Sequence, residues 1–457
     1  MSVSTEIIRL PEPVRAILSR LRDAGYSAYA VGGCVRDSLL GKTPHDWEIC
    51  TAARPEEMRP LFAGWHVVET GLQHGTLTVV IDHMPYEVTA YRLDGLYTDH
   101  RHPDSVSFVR DVREDLRRRD FTVNAMAYAP EEGLIDLFGG REDLQKRLIR
   151  CVGEPEERFR EDALRILRAL RFAACYDFAI EDGTAAAARA MACDVRRVAG
   201  ERIRAEMTKL LCGHAAGRIL RDFSDVITAV FPELASMVGF DQRTPWHRHD
   251  VWEHTVRAVE AVAPEEALRW TMLLHDSGKP EAFFLDTEGI GHAHGHQKRS
   301  AAIAEALFDR MHFDTRTRDR ALLLIEKHDI DMRPDERLLM RQLNRYGEEA
   351  VRDLIAVHCA DRKARGTELP GEADRWAEEM TAALDALLAR QPCYTLASLA
   401  VNGKDLITAG FRPGPGLGQT LQALLERVMD GELTNDRETL LGAARSGLMA
   451  LNDQDTN

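Results

Sequence analysis

The stretch 29–51, YAVGGCVRDSLLGKTPHDWEICT, carries the densest set of residues that could do chemistry. It reads as a short apolar strand, a Gly-Gly turn, a helix start, a loop and a second strand. Asp46 and Glu48 stand two apart on that second strand, so their carboxylates face the same way. Two carboxylates projecting together can hold a divalent cation through oxygen. Gly32 and Gly33 let the backbone come close to a ligand, and the helix start behind them favours an anion. Arg36, one helical turn in, can add a charge-assisted contact to phosphate. A phosphate cradle beside a metal cradle suggests a nucleoside triphosphate and phosphoryl-type transfer.

A second set lies at 158–174, RFREDALRILRALRFAA, read as one helix. Leu164, Ile166, Leu167, Leu170 and Phe172 supply its apolar face. Asp162 and Arg165, three apart, share the other face, and Arg168 and Arg171 continue that line. Cytosine and adenine each present an exocyclic amine beside a ring nitrogen. A carboxylate accepts from the amine, and an arginine donates to the nitrogen. Uracil and guanine put a carbonyl where the amine would be, which leaves two acceptors facing each other. Such a mismatch of buried polar groups rejects the wrong base strongly. The same spacing also fits a plain Asp162–Arg165 ion pair within the helix, worth only a few tenths of a kcal/mol.

The joint pattern GG-x-VRD-x-LLG…D-x-E resembles the active-site signature of the polymerase-beta-like nucleotidyltransferases. More narrowly, it resembles the class II tRNA nucleotidyltransferases, the CCA-adding enzymes, and their poly(A) polymerase relatives. The resemblance implies that Asp46 and Glu48 hold Mg²⁺. Glu48 stands where the family usually has Asp, and its longer arm shifts the metal. Glu87, in MPYEVTAYR, falls on a strand expected beside the Asp46 strand. It is implied as a third carboxylate that activates the attacking hydroxyl or helps seat metal; a surface strand Glu is the alternative. DLRRRDFTVNAMAY (115–128) reads as packed arginines followed by an apolar helix. Its Arg118, Arg119, Asp120 and Asn124 match the family's R-R-D-F-T-x-N-A-M signature near the ribose and triphosphate. In that family the helix with Asp162, Arg165, Arg168 and Arg171 is an amino-acid template for the incoming base. The polar stretch 93–108 resembles the flexible loop of enzymes that add the terminal A, and so implies A addition.

Ten of the 17 histidines fall between His247 and His358. EHT, HDSGKP, GH, KHD and ADRKARG occur there in order, at 253–255, 275–280, 295–296, 327–329 and 360–366. The series resembles an HD domain, a helical metal-dependent phosphohydrolase. The resemblance implies His254, His275, Asp276 and Asp361 as core metal ligands. His296 and His328 resemble the further histidines of two-metal versions. Imidazole and carboxylate ligands suit a transition metal or Mn, and Lys279 could touch a substrate phosphate. A decayed HD fold kept as a helical scaffold is the alternative.

The elements that must position these residues need more than one core. At 457 residues the chain is too long for a single ordinary one, and about three or four domains are expected. Hydrophobic residues make up 44% and charged residues 29%, as in a soluble globular protein. No apolar run is long enough to span a bilayer, and the N-terminus lacks a basic-then-apolar signal segment. The eight cysteines form no C-x-x-C pair, so reduced thiols in a cytoplasmic protein are expected. A net charge of −15 speaks mildly against nucleic acid, yet arginines concentrate at 110–119 and 141–171, where tRNA could lie. The pattern predicts helices at 12–24, 54–62 and 370–392, and strands at 66–69, 76–81 and 86–91. A tight Gly-Pro loop is expected at 410–418, and disorder after about residue 449.

The expected architecture is α+β and multidomain. A polymerase-beta-like nucleotidyltransferase head with a small mixed sheet (1–140) precedes an all-α neck with the base-selecting helix (141–211). An HD body (212–370) and a helical, tRNA-binding tail (371–457) follow. The expected reaction is template-independent addition of C, C and A to a tRNA 3′ end from CTP and ATP, releasing diphosphate. Mg²⁺ is expected in the head and a divalent or transition metal in the HD site. The expected partners are tRNA, ATP and CTP, without a membrane; the oligomeric state stays open. One alternative is an A-adding specialist or poly(A) polymerase. The other is an HD phosphohydrolase whose head only binds RNA.

Overall fold

The computed structural model describes residues 8–69, 71–72, 75–94 and 106–454. The chain divides into two compact units, Met1–Val238 with Ala306–Asp314, and Gly239–Glu305 with Thr315–Asn457.

The first unit opens with α1 (Glu12–Asp23), whose Val14, Ile17, Leu18 and Leu21 form one buried stripe. Then come β1 (Ala28–Val31), α2 (Gly33–Leu39), β2 (Glu48–Thr51), α3 (Pro55–Leu61), β3 (His66–Val68), β4 (Thr76–Ile81) and β5 (Met84–Ala90). After the short pair β6 (Arg92–Asp94) and β7 (Val106–Phe108) follow α4 (Val112–Arg117), β8 (Met126–Ala129) and β9 (Gly133–Asp136). Seven strands form one sheet in the order β3-β4-β5-β2-β1-β8-β9. It is mixed: β2 and β5 run parallel, and the other neighbouring pairs are antiparallel. All four residues of β1 and all four of β8 are buried, as befits strands covered on both faces. Tyr29, Val31, Cys50, Tyr91, Leu116 and Ala127 pack into one cluster of this core.

A mainly helical portion follows, and it includes two short strands where an all-α neck is expected. It comprises α5 (Gly140–Lys146), β10 (Leu148–Ile149), α6 (Pro155–Glu161), α7 (Leu164–Tyr176), β11 (Ala179–Ile180), α8 (Asp182–Met191), α9 (Gly200–Leu211), α10 (Ala216–Asp222) and α11 (Ser224–Val230).

Four expectations need correction here. Residues 115–128 do not continue as a helix. After α4 the chain makes a single 3₁₀ turn at Thr122–Asn124 and then becomes β8. A short apolar run such as MAYA fits either structure, and pairing with β1 and β9 on both edges decides it. Residues 158–174 form two helices, because Asp162 leaves helical geometry (φ −145°, ψ 105°). Its carboxylate accepts from the Leu164 N–H at 3.0 Å, a local bond that competes with a continuing helix. The ends of the polar stretch 93–108 are strands, paired antiparallel from Arg92↔Phe108 to Asp94↔Val106. The loop expectation for 95–105 lies outside the described residues. The last helix continues to Gln454 instead of ending near 449.

The second unit is built mainly from helices. These are α12 (Val251–Ala261), α13 (Glu266–Leu274), α14 (Lys279–Ala282), α15 (His296–Arg310), α16 (Thr315–Lys327), α17 (Glu336–Arg365), α18 (Glu372–Ala389), α19 (Gly403–Thr408), α20 (Pro415–Met429) and α21 (Arg437–Gln454). A two-stranded ribbon, β12 (Phe284–Leu285) with β13 (Gly291–His292), sits between α14 and α15. Gly347, at φ 80° and ψ 168°, breaks α17 in two. Among the described residues, no helix is long and apolar enough to cross a membrane.

Candidate active site and candidate metal centre

Asp46 and Glu48 are exposed while Trp47 and Ile49 between and after them are buried, which is the alternation the sequence predicts. Asp46 stands just before β2 and Glu48 is its first residue. Parallel pairing of β2 with β5 sets Glu48 directly beside Glu87. Partners in register share a sheet face, so Glu48 and Glu87 project together. Glu87 titrates above its ordinary value, first because of partial burial and then because Glu48 and Asp46 repel its charge. Glu48 and Glu87 share a face and Asp46 lies near enough to act on Glu87, and such an oxygen donor set fits a cation such as Mg²⁺.

Gly32 lies under these groups at the β1–α2 turn, with φ 80° and ψ −130°. A Cβ there would meet Arg119 Nη1 at 2.8 Å and Glu48 Oε2 at 3.0 Å. Gly33 opens α2. Arg119 reaches toward Glu48 (3.6 Å) and Asp115 (3.5 Å), while Arg118 grips Asp115 at 2.7 and 3.0 Å. Burial would push the Asp115 carboxyl up, but the two arginines more than offset it and hold it below its ordinary value. The arginines of the RRD motif are thus anchored from beneath by Asp115.

Arg36 is not directed at open solvent. It is buried, donates to Asn124 Oδ1 at 2.5 Å and grips Asp37 at 2.9 and 3.0 Å. Its guanidinium also lies over Phe172 and Tyr176, and Tyr176 donates to Asp37 at 2.9 Å. Asn124 in turn donates to Asp120 Oδ1 at 3.0 Å, and Arg168 takes Asp120 Oδ2 at 2.6 and 2.9 Å. Burial acts to raise Asp120, but Arg168 and the Asn124 bond win and lower it well below the usual carboxylate range. Glu206 on α9 completes the chain, pairing with Arg171 at 2.6 Å and Arg168 at 3.5 Å. Alternating charges make this buried network tolerable.

The Asp162–Arg165 ion pair is absent. Asp162 Oδ2 accepts from Arg202 Nη2 of α9 at 2.7 Å. Arg165 pairs with Glu161 and donates to the backbone oxygens of Arg158 (3.2 Å) and Arg118 (3.0 Å). The sequence reading missed Asp115, Glu161, Arg202 and Glu206. Spacing could have found the first two, since Asp115 precedes Arg118 and Arg119 by three and four, and Glu161 precedes Arg165 by four. Arg202 and Glu206 share one helix face by spacing, but nothing local names their distant partners.

In the second unit, His254 (on α12), His275 and Asp276 (just past α13) and Asp361 (last turn of α17) bring one ligand atom each within 4.8 Å of the others. Asp276, His296 and His328 form a second such group. Asp276 belongs to both. Its Oδ2 lies 3.2 Å from His254 Nε2 and from His275 Nε2, and its Oδ1 lies 3.2 Å from His296 Nε2. His275, His296 and His328 share one device. Each places Nδ1 2.7–2.8 Å from the backbone oxygen three residues earlier. A carbonyl can only accept, so Nδ1 carries the proton and the Nε2 lone pair points inward. Burial pushes His328 down to about 3, which keeps that ring neutral. Burial also acts to lower His275, but Asp276 and Asp361 raise it to about 9. The carboxylates therefore demand positive charge where the Nε2 atoms meet. Asp276 is fully enclosed by these imidazoles, and His254 Nδ1 is buried without a hydrogen-bond partner. The donor set fits transition-type cations, which His254, His275 and Asp361 on one side and His296 and His328 on the other would hold together with Asp276. Lys279 Nζ lies 2.7 Å from Asp276 Oδ2, and a cavity of about 230 Å³ opens over the cluster, lined by Gln242, His247, Lys279, Asp329 and Arg365.

Three family models match segments of the chain. They are the poly A polymerase head domain (28–150), the probable RNA and SrmB-binding site of polymerase A (177–237) and a putative tRNA nucleotidyltransferase domain 2 (320–444). The CCA-adding enzyme of Limosilactobacillus fermentum is 36% identical over 440 residues, spanning 96% of this chain and 98% of that one. The chain belongs to the CCA-adding enzyme family. The CCA-adding enzyme of Geobacillus kaustophilus is likewise 36% identical, over 94% of this chain and 95% of its own. Among solved structures, the Bacillus stearothermophilus CCA-adding enzyme in complex with CTP superimposes with a TM-score of 0.73. It has 30% sequence identity and covers 97% of this chain and 100% of that one. The Thermotoga maritima CCA-adding enzyme complexed with tRNA shares the fold at 22% identity and a TM-score of 0.59. Family membership accords with the resemblance read from the GG-x-VRD and RRD motifs, and the α+β, multidomain fold class is as expected.

Proposed function

We propose that the chain adds C, C and A to the 3′ end of tRNA, using CTP and ATP and releasing diphosphate. The observation that carries this reading is the in-register pair Glu48↔Glu87, with Asp46 beside it, above the Gly32 turn. Asp46 and Glu48 would hold Mg²⁺, which supplies charge neutralisation at the triphosphate and a more acidic 3′ hydroxyl. Glu87, raised above its ordinary value, is a stronger base than a free carboxylate and is suited to take the proton of the attacking hydroxyl. Gly32 and Gly33 leave room for the triphosphate, and Arg118 and Arg119 face it from their Asp115 anchor. Arg36, Asp120 and Asn124 shape the ribose side through the buried network. Asp162, with Arg165, Arg168 and Arg171, would read the base. The division into head, neck, body and tail given above remains our reading, as does a cytoplasmic location.

The test uses transcripts ending before the tail, after one C and after CC, each with Mg²⁺ and labelled CTP or ATP. Two C additions followed by one A are expected. A addition to the CC-ended transcript alone would instead make the chain an A-adding specialist. Incorporation that survives Asp46→Ala would overturn the metal assignment.

A second reading rests on the histidine cluster. Six converging ligands, with the buried Asp276 common to both groups, and the adjoining cavity favour a dinuclear metal site that hydrolyses a phosphoester. Metal analysis after dialysis and release of phosphate from a phosphomonoester or cyclic phosphodiester test it. Absence of both would leave a helical scaffold.

A further inference from the structure

Asp162 is held in an unusual way for a residue that reads a base. It belongs to neither helix beside it: α6 ends at Glu161, α7 starts at Leu164, and Asp162 itself is extended. Its Oδ1 caps α7 through the Leu164 N–H at 3.0 Å. Its Oδ2 takes the Arg202 Nη2–H at 2.7 Å, from a helix forty positions further along. The arginine three positions further on, in α7, is engaged elsewhere. Arg165 is committed to Glu161 and to two backbone carbonyls, and so cannot orient Asp162. Arg202 Nη1 is buried without a hydrogen-bond partner, so Asp162 is what fixes this guanidinium.

We propose that Arg202 is a positioning residue for base selection, acting through Asp162. The inference rests on the C- and A-adding reading given above. With Oδ1 on Leu164 and Oδ2 on Arg202, the carboxylate cannot turn. Its remaining lone pairs are then fixed acceptors, which would suit the amine of cytosine or adenine and oppose the carbonyl of uracil or guanine. An extended residue lacks the packing of a helical turn. Without Arg202 the carboxylate keeps only the Leu164 bond and rotates about it. It can then swing away from a uracil or guanine carbonyl, and the penalty for the wrong base falls. Arg202 thus ties α9 to the selection step, although it need not touch the nucleotide.

The experiment measures single-nucleotide incorporation of CTP, UTP, ATP and GTP on the three tRNA transcripts with Arg202→Ala, Arg202→Lys and the wild type. Arg202→Ala is expected to reduce discrimination of C over U and of A over G by about tenfold or more, chiefly through a lower KM for the wrong nucleotide. Arg202→Lys restores part of it, because a cation returns to Oδ2. In a double-mutant cycle, Arg202→Ala adds little to Asp162→Ala. Equal loss for all four nucleotides, or unchanged discrimination, would overturn the proposal. Should Arg202→Ala fail to fold, Arg202→Lys and Arg202→Gln decide in its place: discrimination equal in the two overturns it, and better discrimination with Lys sustains it. Failure of the underlying reading looks different. There the wild type incorporates nothing, or Asp162→Ala itself keeps full selectivity.

Discussion

Gly32 combines two constraints that no other residue type meets. Its φ of 80° with ψ −130° lies where side chains are strained, and its missing Cβ leaves room for Arg119 and Glu48. Gly32→Ala is expected to cost about 1–3 kcal/mol in chemical denaturation and to depress nucleotide incorporation further by displacing Glu48. Glu87 has a pH signature. Partial burial, then Glu48 and Asp46, raise it, so the folded protein binds its proton more tightly than the unfolded chain. The carboxylate therefore costs stability as pH rises above its ordinary value of 4.5. Glu87→Gln should be more stable than the wild type above that pH and equal to it below. Denaturation curves on both sides of 4.5 check this, while incorporation by the variant should fall. The individual residues of the head were legible because they sit in short motifs. Arg36 was the exception in direction: its type and place suggested phosphate, but Asp37, Asn124 and two aromatic rings enclose it.

At the scale of elements, the segment proposed to read the base is a helix break clamped by a second helix. α6 and α7 meet at Asp162, and α9 supplies Arg202 to Asp162 and Glu206 to Arg168 and Arg171. Glu206→Ala would leave two largely buried arginines short of a counter-charge. A loss of about 3 kcal/mol is expected, read by denaturation of the first unit. Incorporation of both C and A should decline together, because Arg168 also holds Asp120. The break escaped a sequence reading because the apolar spacing runs on smoothly across it. What stops the helix is a single side-chain bond from Asp162 to Leu164, reinforced by a partner that only folding brings near. The strand β8 escaped for a related reason. Four small and apolar residues have no period of their own, and the neighbours β1 and β9 impose one.

For the molecule as a whole, the two units carry separate polar centres. The first unit holds the carboxylates and arginines of the proposed nucleotide site, and the second unit gathers His254, His275, Asp276, Asp361, His296 and His328. Asp276→Asn is expected to reduce bound divalent metal in both halves of the cluster, because Asp276 is the shared ligand. His328→Ala should remove metal from one half only. Metal analysis after dialysis distinguishes the two. Addition of a tightly bound transition metal should stabilise the wild type by about 2.7 kcal/mol at a hundred times its dissociation constant, and leave Asp276→Asn nearly unmoved.

The sequence by itself determined the family, and it singled out Asp46, Glu48, the RRD motif and all six residues that gather in the histidine cluster. It could do so because those groups lie in short segments whose chemistry depends on residue type and local spacing. Tertiary structure alone decided which charges meet. It set Glu48 beside Glu87 through one parallel pairing, turned Arg36 inward, separated Asp162 from Arg165 and joined Asp162 to Arg202. Ion pairs between distant elements follow the packing of whole helices and strands, and that packing is fixed by apolar burial rather than by the charged residues themselves.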